Sequence, residues 1–306
     1  MPTLEENVSL AKLSSYNIGG PARYFFEAST KKDLLEIFKE WNGKFFVLGG
    51  GTNLLISDAG FDGLVLKPKF NFLERDGTDV YVGAAVLMSD LLNFTIKENL
   101  SGLEWAGGLP GTLGGAIRGN AGCFGGEMKD SIRRVFGFDK TTLKDTEREN
   151  VECRFAYRSS IFKERQGDEI VVAATLALQK GESEKINASI NEKINYRKER
   201  HPMEYPNIGS IFKNVPVASF PASELHRVAQ VIKNDPFPVI PAAYLISEAG
   251  IKGTRHGGAM ISPKHPNFIV NVGDARASDV HALIDLVKHA IKKEFNVELQ
   301  EEIQAV

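Results

Sequence analysis

The chain has 306 residues, enough for about two ordinary domains and a sizeable core. Its 42% hydrophobic and 25% charged content is that of a globular protein and excludes a disordered or fibrous chain. Lys plus Arg number 37 against 39 Asp plus Glu, a net charge of −2, which lacks both the basic footprint of a nucleic-acid binder and a polybasic tail for anionic membranes.

Two cysteines, Cys123 and Cys153, cannot build a disulfide framework and suit a reducing compartment. The start, MPTLEENVSL, is acidic where a signal peptide is basic, and the longest strongly apolar stretch, VVAATLAL (171–178), is far short of a membrane span. These features predict a cytoplasmic protein with no membrane partner.

In chain order, YFFEA (24–28) reads as a strand, and Thr30 caps a helix from Lys31 to Trp41 with Asp33 at the capping-box position. KFFVL (44–48), LLIS (54–57), LVLK (64–67) and DVYVGA (79–84) read as strands, and MSDLLNFTIKEN (88–99) as a helix. FGFD (136–139) and VVAATLAL follow as strands. A helix runs from Glu182 to about Arg200 with Ile186, Ile190 and Ile194 on one face. PAAYLISEAG (241–250) fits a helix with Pro at its start and Gly250 past its end. NFIVN (267–271) is a buried-type strand, and Ser278 is expected to cap a helix with Val280, Leu283, Ile284, Val287 and Ile291 inward. VELQEEI (297–303) reads as extended.

Glycine is the informative residue: of 29 in the chain, ten lie between Gly102 and Gly126. Backbone rather than side chains must there come close to something. Upstream, LGGGTNLL (48–55) leaves a strand and presents three glycines, then Thr52 and Asn53. Consecutive amides free of Cβ crowding can close round phosphate oxygens. There is no GK[ST], so a P-loop is excluded, and neither cluster reads G-x-G-x-x-G, so a Rossmann fingerprint is excluded too. In the second cluster TLGGAIRG could start a short helix whose N-terminus favours an anion. A single glycine usually only makes a turn; two such clusters point to a large ligand with a diphosphate.

The six histidines show no zinc spacing and no H-E-x-x-H, which predicts no metal site, and there is no G-x-S-x-G elbow. Cys123 has the commoner reading of a small buried thiol. Arg158, within CRFAYRSSIFK (153–163), is either an ion-pair member or a fixed cation for a carboxylate or developing enolate. Ser210 follows a glycine in NIGSIFKN (207–214), where most serines only bond backbone. Glu302 reads by default as a solvated carboxylate.

Together these segments resemble the UDP-N-acetylenolpyruvoylglucosamine reductase (MurB) family, in its shorter subtype. The likeness runs through SYNIGGPA (15–22), LGGGTNLLISD (48–58), GLEWAGGLPGTLGGAI, NAGCFGGE, CRFAYRSSIFK, RKERHPMEYPNIGSIFKN (197–214), LISEAGIKGTRHGGAMIS (245–262) and HPNFIVN (265–271). The resemblance implies an α+β fold: a two-part FAD-binding unit of the vanillyl-alcohol-oxidase/PCMH type (1–68 and 69–196), plus a C-terminal α+β substrate domain (197–306). It implies non-covalent FAD held by Gly49, Gly50, Gly51, Thr52, Asn53, Gly108, Pro110, Gly111, Thr112, Gly115, Ala116, Asn120 and Gly122.

The implied reaction belongs to peptidoglycan precursor synthesis. NADPH reduces FAD, and the reduced flavin then delivers hydride to the vinyl carbon of an enolpyruvyl ether on a UDP-sugar. The neighbouring carbon becomes carbanion-like, its charge spread into the carboxylate. Arg158 matches the family arginine of Y-R-x-S that faces this charge. Ser210 matches the proton donor of G-S-x-F-K-N: a weak acid suffices against a carbanion if it is well placed. Glu302 matches the C-terminal glutamate that polarises the carboxylate, with Glu301 as the adjacent alternative. Tyr157, Lys198 and Asn214 are the implied substrate contacts, Lys198 and Arg200 toward the diphosphate.

The sequence departs from the family pattern at Gly119, where methionine is common, at Val215 inserted before Pro216, and in the residues after Glu302. Two other classes remain open from the sequence: another FAD-linked oxidase or dehydrogenase of the same fold, and a non-catalytic flavin-binding module. No protein partner is expected.

Overall fold

The computed structural model describes residues 3–306 apart from Gln166 and Pro236. The chain forms two compact units interleaved in sequence: one comprises 1–8, 22–50 and 62–196, the other 9–21, 51–61 and 197–306.

The first unit holds two sheets. In one, the strands run in the order Glu5–Ser9, Pro21–Ala28, Phe61–Pro68, Phe45–Val47, with Phe45–Val47 parallel to its neighbour. The helix Lys31–Glu40 covers this sheet with Leu34, Ile37 and Phe38 inward. Its predicted capping box is present: Thr30 Oγ1 accepts from the Asp33 N–H at 3.1 Å, and Asp33 returns an acceptor to the Thr30 N–H at 2.8 Å.

The second sheet is antiparallel throughout, in the order Lys144–Glu149, Ile132–Asp139, Glu169–Ala177, Asp79–Gly83, Leu73–Asp76. Glu169–Ala177 is its central strand, and the near-continuous apolar run read from the sequence is buried on both faces. Glu169, also buried, accepts from Thr146, from Arg148 through two nitrogens and from Arg165. Asp139 accepts from Arg165 and from the amides of Thr141 and Thr142. This network binds the end of the short helix Ile161–Glu164, through Arg165, to the ends of the inner strands Glu169–Ala177 and Ile132–Asp139.

The second unit packs two small antiparallel sheets and the parallel pair Leu54–Leu55 with Gln304–Ala305 around the helix Ala277–Phe295. The predicted inward positions, Val280, Leu283, Ile284, Val287 and Ile291, are all buried. The predicted cap is corrected. Ser278 lies inside the first turn, and the helix start is held instead by Asp58, whose carboxylate accepts from the amides of Ala277 (2.7 Å) and Ser278 (3.1 Å). Burial alone would push the Asp58 carboxyl up; these amide bonds outweigh it and hold its pKa low. Of the extended segment 297–303, only an isolated bridge from Glu301 to Phe212 joins a ladder. Among the described residues no helix is long and apolar enough to cross a membrane.

Candidate active site

In the first unit the two glycine clusters meet backbone to backbone. A Cβ placed on Gly50 would lie 2.7 Å from the Gly111 Cα, and one on Gly49 would lie 3.0 Å from Thr112 Oγ1. Only glycine permits that approach, and Gly111 also sits at φ +97°. Among the described residues, the amides of Gly49 and Gly50 find no protein acceptor, and neither do those of Gly108, Gly111 and Thr112. Amides left open in this way suit an anionic ligand such as a diphosphate. The predicted short helix exists, Leu113–Gly119, but its N-terminus is not the anion site the sequence suggested. The Leu113 and Gly114 amides donate to the carbonyls of Val86 and Ala84, both at 2.9 Å.

Asn120 closes that helix in a left-handed conformation and is fully buried. Its Nδ2 donates to Glu127 Oε2 (3.2 Å) and to the Ala156 carbonyl (3.1 Å), and its Oδ1 accepts from the Lys129 amide (3.0 Å). Its side chain therefore joins the glycine segment to the turn that carries Arg158. In that turn Ala156 and Ser159 exchange backbone hydrogen bonds at 3.0 Å in both directions, leaving Tyr157 and Arg158 at the tip. Arg158 has φ +55°, a strained setting for a non-glycine residue. Ser160 Oγ, fully buried, donates to the Arg118 carbonyl at 2.7 Å, and Lys163 Nζ donates to the Arg158 carbonyl at 2.9 Å. The Arg158 guanidinium lies 5.4 Å from the Tyr157 ring centroid. Strain held by several surrounding bonds is the usual mark of a functional position.

Burial pushes the Cys153 thiol up to about 12, so it is a protonated structural thiol. Cys123 is half-buried, with its Sγ 3.3 Å from the Trp105 carbonyl. Among the described residues no group of three or more His, Cys, Asp or Glu could hold a metal ion.

In the second unit, Ser210 precedes a segment clamped by Asn267. The Ile211 amide donates to the Asn267 carbonyl (2.8 Å), the Phe212 amide to Asn267 Oδ1 (3.0 Å), and Asn267 Nδ2 to the Phe212 carbonyl (2.9 Å). The other edge of this segment pairs with the C-terminal residues: the Glu302 amide donates to the Ile211 carbonyl at 2.8 Å, and the Lys213 amide to the Gln300 carbonyl at 2.9 Å. Asn53 Nδ2 donates to the Glu302 carbonyl at 3.2 Å. Glu301 is ion-paired with Lys288 on the long helix.

Asn214 Oδ1 accepts from the Ala242 amide at the start of the helix Ala242–Glu248, a structural bond that motif reading does not reveal. Lys198 is exposed, and its carbonyl accepts from Lys264 Nζ. His201 and His265 meet edge to face with ring centroids 5.2 Å apart, and burial lowers both to about 4. Asn267 and Asn120 are the positioning residues that motif reading missed or cast as ligands.

Residues 22–139 match the model of an FAD binding domain, and residues 201–306 match the C-terminal domain of UDP-N-acetylenolpyruvoylglucosamine reductase. Fold and matched families together define an FAD-dependent oxidoreductase. The chain is 38% identical to the UDP-N-acetylenolpyruvoylglucosamine reductase of Anoxybacillus flavithermus, over 99% of this chain and 94% of that protein. It is 35% identical to that of Clostridium novyi, over 99% and 92%. The solved structure of the enzyme from Thermus caldophilus superposes with a TM-score of 0.79 at 31% identity, covering 99% of both chains. The chain belongs to the UDP-N-acetylenolpyruvoylglucosamine reductase family.

Proposed function

We propose that this chain reduces UDP-N-acetyl-3-O-(1-carboxyvinyl)-glucosamine to UDP-N-acetylmuramate with NADPH, in the cytoplasm and without an obligate protein partner. The observation that carries this reading is a likeness to the reductases that spans both units of the chain. FAD, when bound, supplies the two-electron relay between NADPH and the enolpyruvyl double bond.

The open amides of Gly49, Gly50, Gly108, Gly111 and Thr112 bind the dinucleotide, on a cradle that Gly50 and Gly111 keep clear of side chains, and Gly51, Thr52 and Asn53 are proposed as further contacts. The same cradle includes Pro110, Gly115, Ala116 and Gly122. The division into 1–68, 69–196 and 197–306 is part of this reading; what supports its first boundary is that one sheet of the first unit is built from strands up to Pro68 and the other from strands after it. Arg158 binds the substrate carboxylate and stabilises the charge that collects there on reduction. Its left-handed turn holds the backbone that carries the guanidinium in place before substrate arrives, which lessens the reorganisation needed. Ser210 gives its hydroxyl proton to the carbon that becomes electron-rich. Glu302 polarises the carboxylate, supported over Glu301 because Glu301 is engaged by Lys288. Tyr157, Lys198 and Asn214 contact the UDP-sugar.

The test is anaerobic absorption spectroscopy of the purified chain. NADPH should bleach the flavin band, and only the enolpyruvyl nucleotide should restore it rapidly. A simple alcohol that bleaches the flavin would establish an alcohol oxidase of the same fold instead. A colourless protein that releases no flavin on denaturation would reject the flavoenzyme reading.

A further inference from the structure

Arg118 lies next to the end of the helix Leu113–Gly119 and is half-buried. Among the described residues it makes no ion pair and no side-chain hydrogen bond, and burial lowers its pKa with no carboxylate to offset that. Three half-buried arginines elsewhere in the unit behave differently: Arg148 and Arg165 close on Glu169, and Arg134 on Glu147 and Glu149. The nearest acids along the chain are already taken, Glu127 by Asn120 and Lys129, and Asp130 by the Glu127 amide. A desolvated cation with no counter-charge is costly, and a site that keeps one is suited to an anion from outside the protein.

The helix shows where that anion sits. Residues three and four apart share a helix face, so Arg118 shares one with Gly115, three positions before it; Gly119 follows it directly at the helix end. Gly115 is exposed, and a Cβ on Gly119 would meet nothing within 4 Å. On the Gly115 and Gly119 sides of Arg118 the helix therefore carries no side chain of its own. It continues into Gly111 and Thr112, whose amides are open, and onto Gly111 packs Gly50 of the first glycine loop. The helix end is fixed from behind by Ser160 Oγ on the Arg118 carbonyl.

We infer that Arg118 supplies the positive charge for an anionic oxygen of the bound flavin dinucleotide, either on its diphosphate or on the reduced ring. The inference rests on the proposal that this unit holds FAD. It adds a side-chain cation to a cradle otherwise made of backbone.

The experiment uses the full chain, stripped of FAD and titrated with it by flavin fluorescence, with midpoint potentials measured on the reloaded protein. If the diphosphate is the partner, Arg118→Met raises the FAD dissociation constant by about tenfold or more. If the reduced ring is the partner, affinity for oxidised FAD holds and the midpoint potential falls by about 30 mV, tenfold for a two-electron couple. Arg118→Lys should recover most of either effect. Without FAD, Arg118→Met should melt no lower than the parent, because it loses a cation that pairs with nothing in the protein. Unchanged affinity together with unchanged potential would overturn the inference, as would a lower melting point with both unchanged. If Arg118→Met does not fold, Arg118→Gln is read the same way. A parent chain that binds no FAD would reject the flavin reading itself rather than the role of Arg118.

Discussion

Ser160 donates a 2.7 Å hydrogen bond to the carbonyl of Arg118, and both groups belong to the frame that holds the Arg158 turn against the glycine segment. Asn120 makes the second tie, to Ala156, on the other side of the same turn. Arg158 is thus carried by a tip whose two flanks are bonded to one short helix and its cap.

Ser160→Ala should leave the Arg118 carbonyl without its donor and cost about 1–2 kcal/mol of stability. In stopped-flow assays the oxidative half-reaction should slow by roughly tenfold to a hundredfold through misplacement of Arg158. Reduction of the flavin by NADPH should hold near the parent rate. Equal slowing of both halves would show that the bond serves folding alone.

Ser210→Ala should cut the oxidative half-reaction on the order of 10²–10⁴-fold while NADPH still bleaches the flavin at nearly the parent rate. The half-reactions are separated by rapid mixing under anaerobic conditions. Loss in both halves would remove Ser210 as proton donor.

Glu301 and Glu302 are adjacent yet differ in their surroundings, and conservative substitution separates them. Glu301→Gln breaks a partly exposed pair with Lys288 and should cost at most about 1 kcal/mol, with turnover nearly unchanged. Glu302→Gln should lower turnover on the order of 10²-fold with the melting point maintained. The opposite pattern in steady-state turnover would transfer the role to Glu301.

Two glycines of the cofactor unit should respond oppositely to alanine. Gly50→Ala places a methyl 2.7 Å from the Gly111 Cα, backbone that cannot step aside, and should cost about 1–3 kcal/mol and release FAD. Gly119→Ala meets nothing within 4 Å and should be neutral or stabilising by up to about 1 kcal/mol. Thermal melts and flavin content after gel filtration check both.

Stability should fall on acidification in two stages. His201 and His265 are lowered from 6.5 to about 4, chiefly by burial, and for His201 further by the charges of His265, Arg197 and Lys264. The unfolded chain therefore binds protons that the folded one refuses, and their contribution, complete above pH 6.5, is lost as pH falls toward 4. Glu169 and Asp139 add a second loss at lower pH. Burial alone would raise both carboxyls, but Arg148, Thr146 and Arg165 around Glu169, and the Thr142 and Thr141 amides with Arg165 around Asp139, hold them low. Melts from pH 7 to 4 should show the first decline, and His265→Phe should remove about half of it. An unchanged slope in that variant would assign the decline to other groups.

Much of this architecture is legible in the residues. The long helix before Phe295 is readable because five apolar positions fall on one face, and the first helix because Thr30 and Asp33 are local to each other. The cap of the long helix is not, because Asp58 stands over two hundred positions away. The glycine clusters signal a backbone cradle, but no sequence pattern shows that Gly50 meets Gly111. Nor does it show that Arg158 takes a left-handed conformation, which the ties from Asn120, Ser160 and Lys163 impose. Asn214 looks like a ligand in its motif, yet spends its carbonyl oxygen on a helix start. The interleaving of the two units is equally hidden, since neighbours in sequence such as Gly50 and Gly51 fall to different sides of the division.

Tyr16 belongs to the C-terminal core although it lies near the other end of the chain: its buried hydroxyl donates to the Ile269 carbonyl at 2.8 Å, and Asn271 Nδ2 donates to the Tyr16 carbonyl at 3.1 Å. A fragment cut at the family boundary, residues 201–306, would lose this ring, Leu55, the strand beside Gln304 and the Asp58 carboxylate at one stroke. It would leave an unfilled hole and an uncapped helix rather than a portable module. Dissection or chimera building should therefore carry 9–21 and 51–61 along with it, which makes the exchangeable piece of this enzyme three stretches of chain instead of one.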